Sequence, residues 1–128
     1  MLDRMDIFVE VTALDFEELS LTTPAESSVD VKARVNKART IQQERLLTTG
    51  VTCNARLGRK ALDQYCALDE TCQKLMKGAF DRMGLTARSY DRILRVARTI
   101  ADLDGSEVIQ AHHLAEALQY RPPEYLRR

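Results

Sequence analysis

The stretch from Ala87 to Leu103 constrains this chain most. Ala87, Tyr90, Ile93, Leu94, Ala97, Ile100 and Ala101 recur at three- and four-residue spacing, a period that builds one apolar helix face and that a strand cannot accommodate. The run is punctuated on both sides. Thr86 stands where an N-cap is needed, and Asp104-Gly105-Ser106 breaks the pattern. A second helical run from about Ile109 to Gln119, with Ala111, Leu114, Ala115 and Leu118 inward, stops at Arg121-Pro122-Pro123, where proline removes a donor. Arg88, Arg92 and Arg95 fall on the side of the first helix away from its apolar face.

The rest of the chain extends this helical theme. At 128 residues it is one domain's worth of sequence, long enough for a real core. Tryptophan is absent and aromatics are few, so that core must be aliphatic, and five glycines with three prolines favour helices over turn-rich sheet. Glu26-Ser27-Ser28 supplies capping candidates for a helix from about Val29 to Leu46, with Val31, Val35, Ala38 and Leu46 on one face. Residues 47–57 are irregular, with Asn54 as a turn residue. A short helix from about Gly58 to Cys66 turns Leu62 and Tyr65 inward. Asp69 then caps a helix to about Met83, with a stripe of Leu68, Cys72, Leu75, Met76, Ala79 and Met83, and Gly84 fits the position just past its end. Residues 6–12 read as a single strand and 13–28 as an acidic linker. One strand is not stable alone, so this one belongs to a sheet that lies elsewhere. The expected fold is all-α, a bundle of about five helices with an extended N-terminal strand segment.

Charge and motifs exclude more than they assign. Residues 1–30 hold eight acidic side chains and one basic, whereas residues 31–128 hold eleven acidic and eighteen basic. A phosphate-bearing partner is permitted by that basic bulk and not demanded by it. Cys53, Cys66 and Cys72 match no zinc spacing and follow no signal peptide, which reads as reduced thiols in a cytoplasmic protein. No apolar run approaches the roughly 20 residues that span a bilayer, so no membrane partner is expected. There is no phosphate-cradling glycine loop and no nucleophile elbow. His112 and His113 are neighbours, about 100° apart on a helix, and do not form the i, i+4 pair of a metal site; no metal is expected. The residues by themselves show no catalytic constellation.

Two arginines bear weighing. Arg88 is the second residue past the Thr86 cap, where unpaired N–H groups and the helix dipole favour an anion and a guanidinium can grip phosphate with two bonds. Arg4 precedes the strand in Leu2-Asp3-Arg4-Met5-Asp6. For each, a solvated arginine beside an acid is the competing reading, and residue chemistry alone favours it.

Sequence resemblance adds what residue chemistry does not. Leu2-Asp3-Arg4-Met5-Asp6-Ile7 resembles an element of AAA+ ATPases in the magnesium-chelatase and replicative-helicase group, and Leu85-Thr86-Ala87-Arg88-Ser89-Tyr90-Asp91-Arg92-Ile93-Leu94 resembles the sensor-2 helix of that group. Ala97 to Leu103, Gly105-Ser106-Glu107 and His113 to Arg121 resemble the Mg-chelatase-related family that includes competence protein ComM. The match is strong over 85–121, good over 2–11 and 26–40, and weak over 47–80.

The resemblance implies a ring-forming, hexameric, Mg·ATP-dependent parent. Arg4 would be its arginine finger, acting in trans on the neighbouring subunit's nucleotide, and Arg88 its sensor-2 arginine and nucleotide contact. It implies that residues 1–25 are the end of the AAA+ core with a linker, and 26–128 a C-terminal helical lid. The Walker motifs of the family have no counterpart in these residues, so the chain alone is expected neither to bind ATP tightly nor to hydrolyse it, ATP and Mg²⁺ belonging to the parent. Expected partners are the parent's own ATPase core, neighbouring subunits and DNA, the last by likeness to the ComM branch, which is linked to branch migration in transformation. The magnesium chelatases, which insert Mg²⁺ into a porphyrin, make a remodelling subunit the alternative. A further alternative is a nucleic-acid-binding helical module whose basic face combines Arg88, Arg92, Arg95 and Arg98 with Lys74, Lys77 and Arg82.

Overall fold

Helix starts and stops fall where side-chain chemistry places them. The structure, a computed structural model, describes residues 7–9, 27–47 and 53–121. They form α1 (Ser28–Arg45), a 3₁₀ turn (Asn54–Arg56), α2 (Arg59–Tyr65), α3 (Glu70–Met83), α4 (Ala87–Leu103) and α5 (Ala111–Gln119). The all-α expectation holds for the described residues. Ser27 Oγ accepts the Asp30 N–H at 3.2 Å, Asp69 Oδ1 the Cys72 N–H at 2.8 Å, and Thr86 Oγ1 the Ser89 N–H at 3.1 Å, each satisfying a first-turn donor. Gly84 (φ 61) and Gly105 (φ 71) take the left-handed conformation past α3 and α4. Gly105 N–H then reaches Asp102 O and Ser106 N–H reaches Ala101 O, the paired bonds that close a helix C-terminus. The last helix begins two residues later than its apolar pattern implied, because Gln110 caps it.

The Asp69 cap carries a pH dependence. The backbone N–H of Cys72 holds the Asp69 carboxyl below its ordinary value. A carboxylate lowered in the folded state stabilises fully above its unfolded pKa of about 4 and loses that contribution as pH falls through the folded value. Urea midpoints should therefore fall between pH 5 and pH 3, by the rule of acid linkage. Asp69→Asn should flatten part of that slope while keeping the cap, and urea titrations of both proteins at each pH check it.

Helix α4 is the spine. It packs against α1, α2, α5 and the 3₁₀ turn, and α3 closes on α5. Leu57, Leu62, Met76, Ile93, Leu94, Ile109 and Leu114 interlock in an aliphatic core with Cys66 and Cys72. Burial pushes both thiols up, to about 11, whereas Cys53 is half-buried. Since thiolate is the reactive form, a thiol titration of the folded protein at neutral pH should find Cys53 reacting first. Cys66 and Cys72 should follow only after denaturant.

Three expectations change. Among residues 6–12, the described Ile7, Phe8 and Val9 hold no strand; Phe8 N–H donates to the Tyr120 carbonyl at 2.6 Å. With no ladder partner the segment uses a carbonyl that the end of α5 leaves open. The remainder of that stretch, and Arg4, lie outside the described residues. Helix α1 is also only half embedded. Ala38, Gln42 and Leu46 are buried, but Val31 and Val35 on the same face are 39% and 37% exposed, and residues 28–37 are exposed throughout. Ala87, expected on the apolar face of α4, is exposed as well. No helix among the described residues is long and apolar enough to cross a membrane.

Candidate functional site

Of the four arginines on α4, Arg98 is buried and the other three line a cavity, with Arg88 the most exposed of them. Arg98, assigned to a basic surface by sequence, is 2% exposed. Its NH1 donates to Glu107 O (2.9 Å) and Tyr65 O (3.4 Å), and its NH2 to Ser106 O (2.7 Å) and Asp102 Oδ1 (3.1 Å). Asp102 is fully buried and also receives both terminal nitrogens of Arg45 (2.6 and 3.1 Å) and Asn54 Nδ2 (2.9 Å). Burial pulls the Arg98 guanidinium below its ordinary value, and the Asp102 carboxylate opposes that pull. The hub joins α1, the 3₁₀ turn, α2 and α4, so Arg98 cannot serve a phosphate surface. Asn54 is likewise no surface turn residue: its N–H reaches Gln42 Oε1 at 3.2 Å in the interior.

The remaining arginines of α4 surround an open polar cavity of about 570 Å³, lined by Arg88, Asp91, Arg92 and Arg95. Arg95 is half-buried and donates through Nε and NH2 to Leu57 O at 3.1 and 2.7 Å. Arg92 is half-buried. The one acid in the wall, Asp91, is engaged by Arg59 at 2.6 Å. Arg88 is exposed and makes no hydrogen bond or ion pair among the described residues. The Thr86 hydroxyl occupies the Ser89 N–H, leaving the N–H groups of Ala87 and Arg88 directed out of the helix start. Chemically this is a positive, donor-lined opening suited to an oxyanion.

A second cluster holds Asp104, His112 and His113, with ligand atoms within 4.8 Å of one another. The two Nε2 atoms meet Asp104 Oδ2 at 3.4 and 2.8 Å, and these contacts hold the Asp104 carboxyl below its ordinary value, His113 most. The composition suits a cation; the hydrogen-bond directions do not. His113 Nδ1 accepts the Gln110 N–H at 3.0 Å, half of the capping box of α5, so the neutral ring carries its proton on Nε2. A metal at Nε2 would force that proton onto Nδ1, against a backbone donor, where ligating histidines instead donate. The cluster fastens the start of α5 to the end of α4. A groove of about 650 Å³ beside it is mostly apolar, with Val96, Ile100, Leu103 and Tyr120 among its walls, and offers phosphate little.

Sequence reasoning placed Arg88 at the helix start and Arg92 and Arg95 beside it, and the structure brings those three together. It missed Asp102, Arg45 and Asn54. Arg98 and Asp102 are four apart on one helix, a pairing legible in principle, but only the tertiary fold carries Arg45 and Asn54 to them.

Residues 25–121 match the family described as magnesium chelatase, subunit ChlI C-terminal. The chain is 41% identical over 121 residues to Competence protein ComM of Haemophilus influenzae and 40% identical to protein YifB of Escherichia coli, covering 94% of this chain and 23% of each relative. Rv2897c of Mycobacterium tuberculosis is 31% identical over 94% of this chain and 24% of that protein. The chain thus spans about a quarter of the length of these relatives, and its helices α1 to α5 all lie within the matched residues. It belongs to the magnesium chelatase, subunit ChlI C-terminal family.

Proposed function

We propose that this domain is the helical lid of a Mg·ATP-dependent AAA+ ring motor in the cytoplasm, and that Arg88 meets the nucleotide's phosphates. The single observation that carries the reading is Arg88 itself. It is an exposed guanidinium at a helix start, unpaired among the described residues, in a positive cavity whose one acid is already engaged by Arg59. A structural arginine would have been drawn to a carboxylate or carbonyl, as Arg98 and Arg95 are. Charge that builds on a transferring phosphoryl group is stabilised by cations placed in advance. Arg92 and Arg95 complete the wall; the hold of Leu57 O on Arg95 suits a positioning role better than a nucleic-acid contact.

In this reading Arg4, outside the described residues, is the arginine finger acting on the neighbouring subunit of a hexamer, and ATP and Mg²⁺ are held by the parent's core. A parent that acts on DNA is favoured over a porphyrin-related one by the name of the Haemophilus relative, a competence protein. Arg88→Ala in the intact parent tests the assignment: turnover should fall and the fold should not change. Unchanged turnover removes it.

A further inference from the structure

Asp91 stands where local chemistry would let it disable Arg88. It lies three residues after Arg88 and four before Arg95 on α4, the two spacings at which opposite charges on a helix surface reach one another. By that rule its carboxylate closes on the exposed guanidinium at the helix start, yet Arg88 forms no ion pair among the described residues. Instead NH1 of Arg59, from α2, takes Asp91 Oδ1 at 2.6 Å, and NH2 of the same guanidinium takes Asp63 Oδ1 at 3.0 Å. Asp63 is one turn further along α2 and aims the Arg59 fork. The segment that carries Arg59 is itself fixed from beneath. Leu57 is 1% exposed in the core, and its carbonyl receives Nε and NH2 of Arg95. Leu57 and Arg59 thus hold Arg95 and Asp91, one turn apart on α4, from outside a wall made of Arg88, Asp91, Arg92 and Arg95.

We propose that Arg59 is a positioning residue for Arg88: by holding Asp91, it keeps the one carboxylate of the cavity wall from capturing the guanidinium that meets the phosphates. The inference rests on the nucleotide reading of this cavity. Arg59 touches no nucleotide in it and acts through Asp91. Two physical effects combine. A freed Asp91 competes for Arg88 as an i, i+3 partner, and the fraction of Arg88 so engaged is lost to binding. It also leaves an uncompensated negative charge in the wall, which repels an anion. The Arg59–Asp91 pair is partly exposed, so its own contribution to folding is small; its consequence is for the field inside the cavity. A pair kept for stability alone makes its two partners equivalent, because losing either breaks the same bond. Here they are opposed: losing Arg59 weakens the hold on phosphate, and losing the Asp91 charge strengthens it.

Steady-state ATPase kinetics of the intact parent test that opposition. Arg59→Ala should raise KM for ATP about fivefold, the joint scale of a helix-surface pair and one added charge, with the calorimetric melt moved by no more than a degree or so. Asp91→Asn should lower KM about twofold. Adding Asp91→Asn to Arg59→Ala should bring KM back to that of the unaltered parent or below it, a rescue that a structural pair would not give. The Arg59→Ala effect should also shrink between about 50 and 200 mM salt, since exposed charges are screened over that range. An unmoved KM in Arg59→Ala overturns the proposal, and so does a double variant as impaired as Arg59→Ala alone. The two readings fail separately. Unchanged turnover in Arg88→Ala removes the nucleotide reading and this role with it, whereas a depressed Arg88→Ala beside an unmoved Arg59→Ala removes only the role of Arg59.

Discussion

Asp102→Ala is expected to lower the melting temperature by on the order of 15 °C or more. The carboxylate faces two guanidinium groups, Arg45 at 2.6 Å and Arg98 at 3.1 Å, and an amide, Asn54, at 2.9 Å. Removing it leaves Arg98, 2% exposed, as a cation with carbonyl partners and no counter-charge. Breaking a buried pair in this way destabilises by about 3–5 kcal/mol, a large share of the roughly 5–15 kcal/mol that holds a domain folded. Asp102→Asn should lose less, since an amide oxygen still accepts from one donor. Arg98→Met is not a neutral exchange either, because it strips the carbonyls of Tyr65, Ser106 and Glu107 of their donor. Differential scanning calorimetry of the three variants ranks them. A shift of only a few degrees for Asp102→Ala would mean that the hub admits water and does not bind the helices together.

Arg88→Ala should behave in the opposite way, with full stability and lost chemistry. Arg88 is exposed and bonds to nothing among the described residues, so its removal should leave the melt within a degree or so, as for surface substitutions generally. In the intact parent the same change should depress kcat by about a hundredfold, the scale of losing one preorganised donor to a developing oxyanion. Arg88→Lys should recover only part, since an ammonium keeps the charge and loses the two-pronged geometry. Arg4→Ala should fall further, by about 10³-fold or more if it is the finger acting in trans. Arg95→Ala is the informative contrast: it breaks two bonds to Leu57 O, so its melt should drop whether or not turnover does. If the Arg88 variant turns over ATP like the unaltered parent, the nucleotide reading of this cavity fails.

How much of this could be read from the chain depended on how local the cause was. Caps at Ser27, Asp69 and Thr86, and the glycine stop at Gly84, are set by residues within one turn of each other, so they were legible as patterns. The apolar stripe of α3 and most of that of α4 went inward as their period requires. The period of α1 was misleading, because periodicity says which residues share a face and not whether a neighbour is there to cover it; Val31 and Val35 have none among the described residues. The arginines of α4 show the same division more sharply. Their spacing put Arg88, Arg92 and Arg95 together, yet composition could not tell a solvated guanidinium from a buried one.

By itself the sequence determined the helical character of the described residues, most of their helix ends, the aliphatic core and the resemblance to the family. These follow from short-range hydrogen bonding and from the period of apolar side chains. Tertiary structure alone decided which charges are spent inside. It sank Arg98 against Asp102, brought Arg45 and Asn54 to the same carboxylate across 57 and 48 positions of chain, and left Arg88 facing solvent. Burying a charge is tolerable only beside its counter-charge, and where that partner comes from is a property of the packed helices rather than of any segment.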